Sequence, residues 1–242
     1  MSERKVAVLL AGGKGTRLAP YTAVFPKPLV PIGQYPIMEL IVRQLADAGF
    51  NELVFSTGHL AELIEAYFFK HHLRERGVTI RFVREDKPLG TAGSLRLIDD
   101  LPPNFLVMNG DVFTTLDFGP MFMEHIASGA TMTIATHRKH VKIQLGVLER
   151  EEERVTGYIE KPKYDYEASM GVYAYTDRAV SFIPENSYFD FPDLVQALIE
   201  AGEHVRCHLS EDDWLDIGNA DDYAAAQEIF EQNPERYVKD LS

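Results

Sequence analysis

The fold of this chain is indicated by one stretch near its start, Val6-Ala7-Val8-Leu9-Leu10-Ala11-Gly12-Gly13-Lys14-Gly15-Thr16-Arg17-Leu18. Its first five residues form an apolar run that is typical of a buried parallel strand. Three glycines in the four positions 12–15 then let the backbone turn sharply and bring bare N–H groups close to an anionic ligand. Arg17 and Lys27 add positive charge to this loop. The stretch therefore predicts a phosphate-binding loop at the end of a central strand, and an enzyme that handles a nucleoside triphosphate.

Two better-known phosphate loops do not fit this stretch. The P-loop has a glycine, four residues and then Gly-Lys-Ser/Thr, whereas here Lys14 precedes Gly15-Thr16. The dinucleotide-binding fingerprint requires a third glycine at the position of Leu18. A glycine-rich turn without a ligand is the remaining alternative, but Thr16, Arg17 and Lys27 exceed what a turn requires.

The composition restricts the class of protein. The 242 residues carry a net charge of −13, which argues against nucleic acid or an anionic membrane as a partner. No apolar run approaches the ~20 residues of a membrane span, and no signal peptide precedes the first strand. The single cysteine, Cys207, excludes an internal disulfide, fits the reducing cytoplasm and is interpreted as buried filler. An acidic protein that binds phosphates must concentrate its positive charge locally, and the candidates are Arg17, Lys27 and Lys161.

Hydrophobic periodicity predicts an α/β fold. In the first half, strands are predicted at 51–57, 78–84 and 105–109, with helices at 60–71 and 92–99. This βαβ repetition predicts a mostly parallel sheet. After residue 130 the alternating runs 131–136, 143–149, 155–160 and 169–175 predict antiparallel strands over one end of the sheet, with a hairpin turn at the charged run 149–154 and helices at 191–201 and 221–232. No linker divides the chain, so a single domain 1–242 is expected, with a nucleotide-binding half of about 1–115 and a second half of about 116–242.

One acidic residue closes a predicted strand, at the edge where ligands bind in α/β sheets, and a second lies in a distant segment. Asp111 closes the strand 105–109, and Asp216 lies in Trp214–Gly218. Carboxylates at such positions suit Mg²⁺, which prefers hard oxygen ligands. The two groups share one ion or hold two; the alternative is that each only caps the next helix.

Two loops and a histidine pair are further candidates. Glu160-Lys161-Pro162 offers an amine for a second phosphate and a carboxylate for sugar hydroxyls, or else a surface ion pair. The small residues of Leu89–Gly93 allow a flat base to lie against the backbone; the alternative is an ordinary loop with Thr91 as N-cap. Metal binding at His71-His72 requires further ligands, and the sequence shows none at suitable spacing.

Together these segments resemble the sugar-1-phosphate nucleotidyltransferases, or nucleotide-sugar pyrophosphorylases. Gly12–Leu18 and Pro26–Pro31 match the family's hallmark, and the other motifs recur in family order over about residues 4–232. The resemblance implies a Rossmann-like three-layer α/β fold, with a mixed, mostly parallel sheet and an antiparallel sugar-binding subregion. It also implies the reaction of an NTP with a sugar 1-phosphate to give an NDP-sugar and pyrophosphate, with Mg²⁺ as cofactor.

The chain is most similar to the short mannose- or heptose-1-phosphate guanylyltransferase type. The resemblance is to this short form, without the C-terminal β-helix of longer relatives, so neither such a domain nor control by it is expected. Two rival functions stay open: transfer to a non-sugar phosphate such as phosphocholine, and a catalytically silent nucleotide-sugar sensor. Homo-oligomerisation also stays open.

The resemblance assigns roles by position. It implies a catalytic set of Arg17, Lys27 and Asp111, and metal ligation by Asp111 and Asp216. The implied nucleotide-binding set is Leu10, Ala11, Gly12, Gly13, Gly15, Thr16, Arg17, Lys27, Glu85, Gly90 and Thr91. The implied sugar-phosphate set is Asn109, Gly146, Glu160, Lys161, Ser169 and Gly171. Ser169 stands where the family often has Asn, which leaves the identity of the sugar open.

Glu85 bears on the choice of nucleotide. It lies just before the base loop, near where thymidylyl- and uridylyl-transferring relatives often carry Gln. A carboxylate only accepts hydrogen bonds, and guanine presents adjacent N1–H and N2–H donors. The sequence therefore favours GTP, with dTTP, UTP and CTP as alternatives.

Overall fold

The computed structural model describes residues 3–238 and is built around a seven-stranded sheet. The strands along the chain are β1 (Val6–Ala11), β2 (Pro31–Ile32), β3 (Tyr35–Pro36), β4 (Glu52–Thr57), β5 (Thr79–Arg84), β6 (Asn104–Asn109), β7 (Val112–Thr114), β8 (Met132–Lys142), β9 (Val147–Glu151), β10 (Arg154–Ile159), β11 (Lys163–Thr176), β12 (Val205–Ser210) and β13 (Trp214–Asp216). The helices are α1 (Ile37–Asp47), α2 (Ala61–Phe68), α3 (Gly90–Gly93), α4 (Phe118–Ser128), α5 (Asp177–Val180), α6 (Phe191–Glu200) and α7 (Ala220–Gln232).

The main sheet is mixed and mostly parallel. Its strand order is β12-β8-β11-β6-β1-β4-β5. β1 pairs in parallel with β4 and β6, β4 with β5, and β12 with β8. Only β11 runs antiparallel to its neighbours, β6 and β8. The predicted α/β class is therefore confirmed, and the first strand lies in the interior of the sheet.

Helices cover both faces of the sheet. β1 shows this in its alternation, since Ala7 and Leu9 pack in one hydrophobic core while Val6 and Val8 pack in another. The first core includes apolar residues of α1, α2, α4 and α7, and the second includes those of α3, α5 and α6. These cores make the three layers that were expected. Within residues 3–238, no helix has the length and apolarity that crossing a membrane would require.

The antiparallel region differs from its prediction. The strands predicted at 131–136 and 143–149 are present with different bounds. β8 begins at Met132 but continues to Lys142 along β11, and a turn at 143–146 leads into β9, which begins only at Val147. β9 and β10 form a hairpin that turns within the charged run, as predicted. We call residues 137–168 the antiparallel extension. Its side chains are mostly exposed, so its sequence carries little of the alternation that marks a half-buried strand.

Some local predictions also fail. The helix predicted at 92–99 is the single turn α3 followed by a 3-10 turn, Ser94–Leu97. Helices α1 and α4 are present without having been predicted. Cys207 is exposed on the edge strand β12, so its interpretation as buried filler is wrong.

Candidate active site

A cleft of about 420 Å³ opens where β1 and β6 end. Such carboxyl ends are where open α/β sheets bind ligands. The predicted residues that line the cleft are Leu10, Ala11, Gly12, Gly13, Gly15, Thr16, Arg17, Lys27, Glu85, Gly90, Thr91, Asn109 and Asp111. The structure thus brings together the whole predicted nucleotide-binding set. The rest of the lining is Pro28, Pro88, Ser94, Gly110, Tyr188, Asp190 and Gly218.

At one end of the cleft, the glycine loop packs against the segment that carries Lys27. Gly15 has a φ of +60°, and a Cβ on it would stand 2.9 Å from the Cβ of Lys27. The Thr22 hydroxyl donates to the Gly15 carbonyl over 2.8 Å. Glycine at position 15 therefore satisfies both the left-handed backbone and the close approach of the lysine.

Lys27 and Asp111 form an ion pair on the wall of this end. The Lys27 ammonium donates to Asp111 Oδ2, and the two side chains are only 11% and 20% exposed. The other Asp111 oxygen, Oδ1, is buried and has no hydrogen-bond partner among residues 3–238. A buried carboxylate oxygen without a donor is a position suited to a cation.

Asp216 lies close enough to Lys27 and Asp111 for both charges to act on its carboxyl group. Burial by the surrounding protein and the Asp111 charge raise the pKa of the Asp216 carboxyl, although Lys27 and Arg17 act in the opposite direction. Two carboxylates that disfavour each other's charge, together with the unpartnered Asp111 oxygen, form a donor set that fits a divalent ion such as Mg²⁺.

Arg17 is the exposed cation of this end. Its guanidinium lies beside Gly218, where a Cβ would stand 3.5 Å from Nη1. Arg17 has no hydrogen-bond or ion-pair partner in the part of the chain that the structure describes. Its charge is thus free to bind an anion in the cleft.

Glu85 stands at the opposite end. Its Oε2 accepts a hydrogen bond from the Leu89 backbone N–H over 2.9 Å. Its Oε1 lies so close to Gly12 that a Cβ there would be 2.4 Å away. Burial raises the pKa of Glu85, and the Leu89 hydrogen bond opposes that shift. One carboxylate oxygen is therefore held by the base loop, while the other faces the glycine loop.

The predicted sugar-phosphate residues fall into two groups. The first surrounds Asn109, which lines the cleft. Gly171 has a φ of +73°, and its missing Cβ would stand 2.8 Å from Asn109 Nδ2. The Ser169 hydroxyl bonds to near neighbours in the chain: it accepts from the Gly171 N–H and contacts the Tyr173 hydroxyl at 3.2 Å. Ser169 and Gly171 therefore support the wall around Asn109 without lining the cleft.

The second group lies on the antiparallel extension and does not line the cleft. The Tyr158 hydroxyl donates to Glu160 Oε2 over 2.8 Å and lies where a Cβ on Gly146 would be only 2.0 Å away. Lys161 Nζ is 3.8 Å from Glu160 Oε1 and is half-exposed. Gly146, Glu160 and Lys161 are thus neighbours of one tyrosine, on an open surface.

Tyr188 and Asp190 line the cleft but were not predicted. They lie between α5 and α6, in the second half of the chain. No glycine motif or strand end marks this segment in the sequence. The only local signal is the capping box that Asp190 and Asp193 form at the start of α6. That signal predicts where a helix begins, and it does not indicate a ligand.

A further cluster of potential metal ligands lies outside the cleft. Glu39 joins His71 and His72, with one ligand atom of each residue within 4.8 Å of the others. Sequence spacing did not reveal Glu39, which precedes the pair by more than thirty residues. Its Oε2 contacts His71 Nε2 at 2.5 Å and its Oε1 accepts from Arg43 over 2.6 Å. Burial opposes ionisation of Glu39, but these hydrogen bonds outweigh it and hold its pKa below the ordinary range. Both oxygens of Glu39 are therefore occupied by His71 and Arg43, while His72 is exposed. We interpret Glu39 and His71 as a satisfied buried network and not as a metal site.

Similarity to known proteins identifies the family of this chain. The chain matches the family described as nucleotidyl transferase over residues 6–233. It is 32% identical over 238 residues to the UTP–glucose-1-phosphate uridylyltransferase of Synechocystis sp., an alignment that covers 90% of this chain and 61% of that relative. It is 29% identical to the D-glycero-α-D-manno-heptose 1-phosphate guanylyltransferase of Aneurinibacillus thermoaerophilus, covering 91% of this chain and 96% of that relative. The solved structure of HddC from Yersinia pseudotuberculosis complexed with GMP-PN has the same fold, with a TM-score of 0.71 at 24% identity over 93% of this chain and 99% of that one. The chain therefore belongs to the nucleotidyl transferase family.

Proposed function

We propose that the chain is a Mg²⁺-dependent sugar-1-phosphate nucleotidyltransferase that prefers GTP. The observation that carries this proposal is the meeting of Lys27 and Asp111 in the cleft that the glycine loop lines. Backbone N–H groups, a lysine and a free arginine suit a triphosphate, and the adjacent carboxylates suit its metal ion.

The reaction requires little covalent chemistry from the protein. An ionised oxygen of the sugar 1-phosphate forms a bond to the α-phosphorus of the NTP. The bond from that phosphorus to its bridging oxygen breaks, and pyrophosphate leaves with the electron pair. The attacking oxygen is already deprotonated at neutral pH, so no general base is needed. Catalysis then rests on positioning and on stabilisation of charge.

We assign binding of the substrates and stabilisation of charge to different residues of the site. The glycine loop and Arg17 hold the triphosphate. Lys27 stabilises charge that develops around the α-phosphate, and Asp111 orients the lysine through their ion pair. Asp111 and Asp216 would hold Mg²⁺, which when bound neutralises phosphate charge. Asn109, on the cleft wall, is assigned to the acceptor. The resemblance also assigns Glu160 and Lys161 to the acceptor, although neither lines the cleft.

A panel of substrates tests this function. Pyrophosphate release is measured with GTP, dTTP, UTP and CTP, each paired with mannose, heptose and glucose 1-phosphates and with phosphocholine. We expect release with GTP and a sugar 1-phosphate, and its loss when EDTA removes the metal. Release with phosphocholine alone would assign a non-sugar acceptor. Nucleotide binding without release for any pair would favour a sensor.

Guanine selection is assigned to Glu85. Its Oε1 has no donor among residues 3–238, and Oε2 keeps a lone pair beyond the Leu89 hydrogen bond. Both atoms can therefore accept from the guanine N1–H and N2–H. The relatives include a guanylyltransferase and a uridylyltransferase. We favour guanine over uracil because the Glu85 carboxylate can only accept hydrogen bonds.

Glu85→Gln tests this assignment. The glutamine carbonyl replaces Oε2 as acceptor for Leu89 and so places its NH₂ donor where Oε1 stood. That donor opposes the guanine donors and matches the O4 acceptor of uracil. We expect the ratio of kcat/KM for GTP to that for UTP to fall by about 10- to 100-fold, since hydrogen bonds to charged groups contribute about 1.5–3 kcal/mol. An unchanged ratio would remove Glu85 from base selection.

A further inference from the structure

The base end of the cleft is closed by a segment from the second half of the chain, Ser187–Asp190, which we call the strap. Its backbone is paired to the base loop at three points. The Phe189 N–H donates to the Leu89 carbonyl over 2.8 Å, and the Phe189 carbonyl accepts from the N–H groups of Ala92 and Gly93 over 3.1 and 2.8 Å. The strap is thus fixed to the loop in the manner of a short strand.

Two glycines of the base loop make room for the strap. A Cβ on Gly90, which has a φ of +80°, would stand 2.6 Å from the Phe189 carbonyl oxygen. A Cβ on Gly93 would stand 2.9 Å from the Ser187 carbonyl oxygen. The small residues that the sequence associates with a flat base therefore have a second role, because they admit the strap against the loop.

Side chains of the strap are tied to the same loop. Asp190 Oδ1 accepts from the Thr91 N–H at 2.9 Å and from its hydroxyl at 3.2 Å. The Tyr188 hydroxyl donates to Asp190 Oδ2 over 2.5 Å. Thr91 lies within α3, whose N-cap position is Leu89, so the alternative in which Thr91 is the N-cap is wrong. The phenol of Tyr188 is thus held at its oxygen, while the residue remains 63% exposed and lines the cleft.

We propose that Tyr188 is a nucleotide-binding residue whose ring forms the wall against which the nucleoside lies, opposite Glu85 and Gly12. This proposal rests on the proposed function, since it needs an NTP in the cleft. An aromatic ring beside a base stabilises the bound nucleotide by stacking. Any of the bases can stack in this way, because each has a π-face. A purine covers more of the ring than a pyrimidine does. Tyr188 therefore adds to the preference for GTP that Glu85 sets by hydrogen bonding.

Equilibrium binding without an acceptor sugar tests the proposal. GTP, UTP and inorganic pyrophosphate are titrated into the wild type, Tyr188→Ala and Tyr188→Phe in the presence of Mg²⁺. Phe69→Ala is the matched control, because Phe69 is 67% exposed and does not line the cleft. We expect Tyr188→Ala to raise the Kd for GTP by about 10-fold, within the range of one base–aromatic contact, and the Kd for UTP by less. Pyrophosphate, which has no nucleoside, should bind unchanged. Tyr188→Phe and Phe69→Ala should stay within about twofold of the wild type.

Three results would overturn the proposal. A Kd for GTP in Tyr188→Ala within about twofold of the wild type would show that the ring carries no binding. Equal weakening of pyrophosphate would place the effect on the phosphate end. Equal weakening in Tyr188→Phe would assign it to the bond with Asp190. These outcomes are separate from failure of the proposed function, in which the wild type itself binds no NTP.

Discussion

Replacing Lys27 with methionine tests the charge arrangement on which the proposed chemistry depends. The ammonium contacts Asp111 Oδ2, and both side chains are largely withdrawn from water. Its charge also opposes the rise in the pKa of Asp216 that burial and the Asp111 charge cause. Lys27→Met keeps most of the apolar stem and removes the charge. Two carboxylates then face the triphosphate, and Arg17 is the remaining cation among the residues of 3–238 that line the cleft.

The burial of Lys27 sets the size of the effect. At 11% exposure, an effective dielectric constant of about 20 is more suitable than that of water. One unit charge about 5 Å from another then contributes about 3 kcal/mol, which corresponds to a rate factor of about 10². Loss of a single preorganised donor at developing charge costs about 10²–10³ in kcat. The Coulomb energy and the known cost of losing one donor therefore both predict a fall of kcat/KM by about 10²–10³.

Steady-state pyrophosphate release measures this loss. Arg76→Met is the control, because it removes the 2.9 Å ion pair with Asp47 and lies outside the cleft lining. We expect the control to retain kcat/KM within about twofold, as exposed pairs contribute little. Lys27→Arg keeps the charge and should recover part of the rate. A Lys27→Met enzyme within about fivefold of the wild type would refute the role of this charge.

Two further predictions concern stability. Burial lowers the pKa of His125 to about 4, whereas its unfolded value is about 6.5. The unfolded chain therefore binds more protons below pH 6.5, and this residue should cost about 2 kcal/mol of unfolding free energy between pH 7 and pH 5. Urea unfolding at both pH values should show that loss in the wild type and not in His125→Gln; equal losses would contradict it. Gly171→Ala should lower the Tm by about 3–8 °C, because it adds left-handed strain and a clash with Asn109. Gly129→Ala, where φ is +63° and no atom lies within 4 Å of the added Cβ, adds only the strain and should cost less in calorimetry.

Residues of the cleft are predictable from the sequence where one local segment contains the whole signal. The phosphate loop needs its glycines, its preceding strand and its cations within about twenty residues, and all of these are visible in order. Asp111 directly follows β6, so a strand end was enough to bring it to the cleft. Such predictions depend on backbone geometry and on the common edge of parallel strands.

The missed helices illustrate a different limit. In α1, seven of the eleven residues are buried, so the apolar face is too wide to give a clear helical period. In α4, Gly119 and Pro120 near the start resemble a loop, although Asp117 caps the helix and Gly129 ends it in the left-handed region. Attention to the two caps would have identified α4.

The base end of the cleft shows why the remaining site residues escaped prediction. Tyr188 and Asp190 reach the cleft only because the strap pairs with the loop around Gly90, almost one hundred residues earlier in the chain. That contact joins residues that are distant in the sequence. Only Gly90 and Gly93 indicate it in the sequence, and a flat base lying against the loop would explain the same two glycines. The structure shows that these glycines accept the strap, and the strap in turn carries the only aromatic side chain that lines the cleft within residues 3–238. Nucleotide choice in this protein is therefore expected to depend on packing between the two halves of the chain as well as on the motif residues themselves.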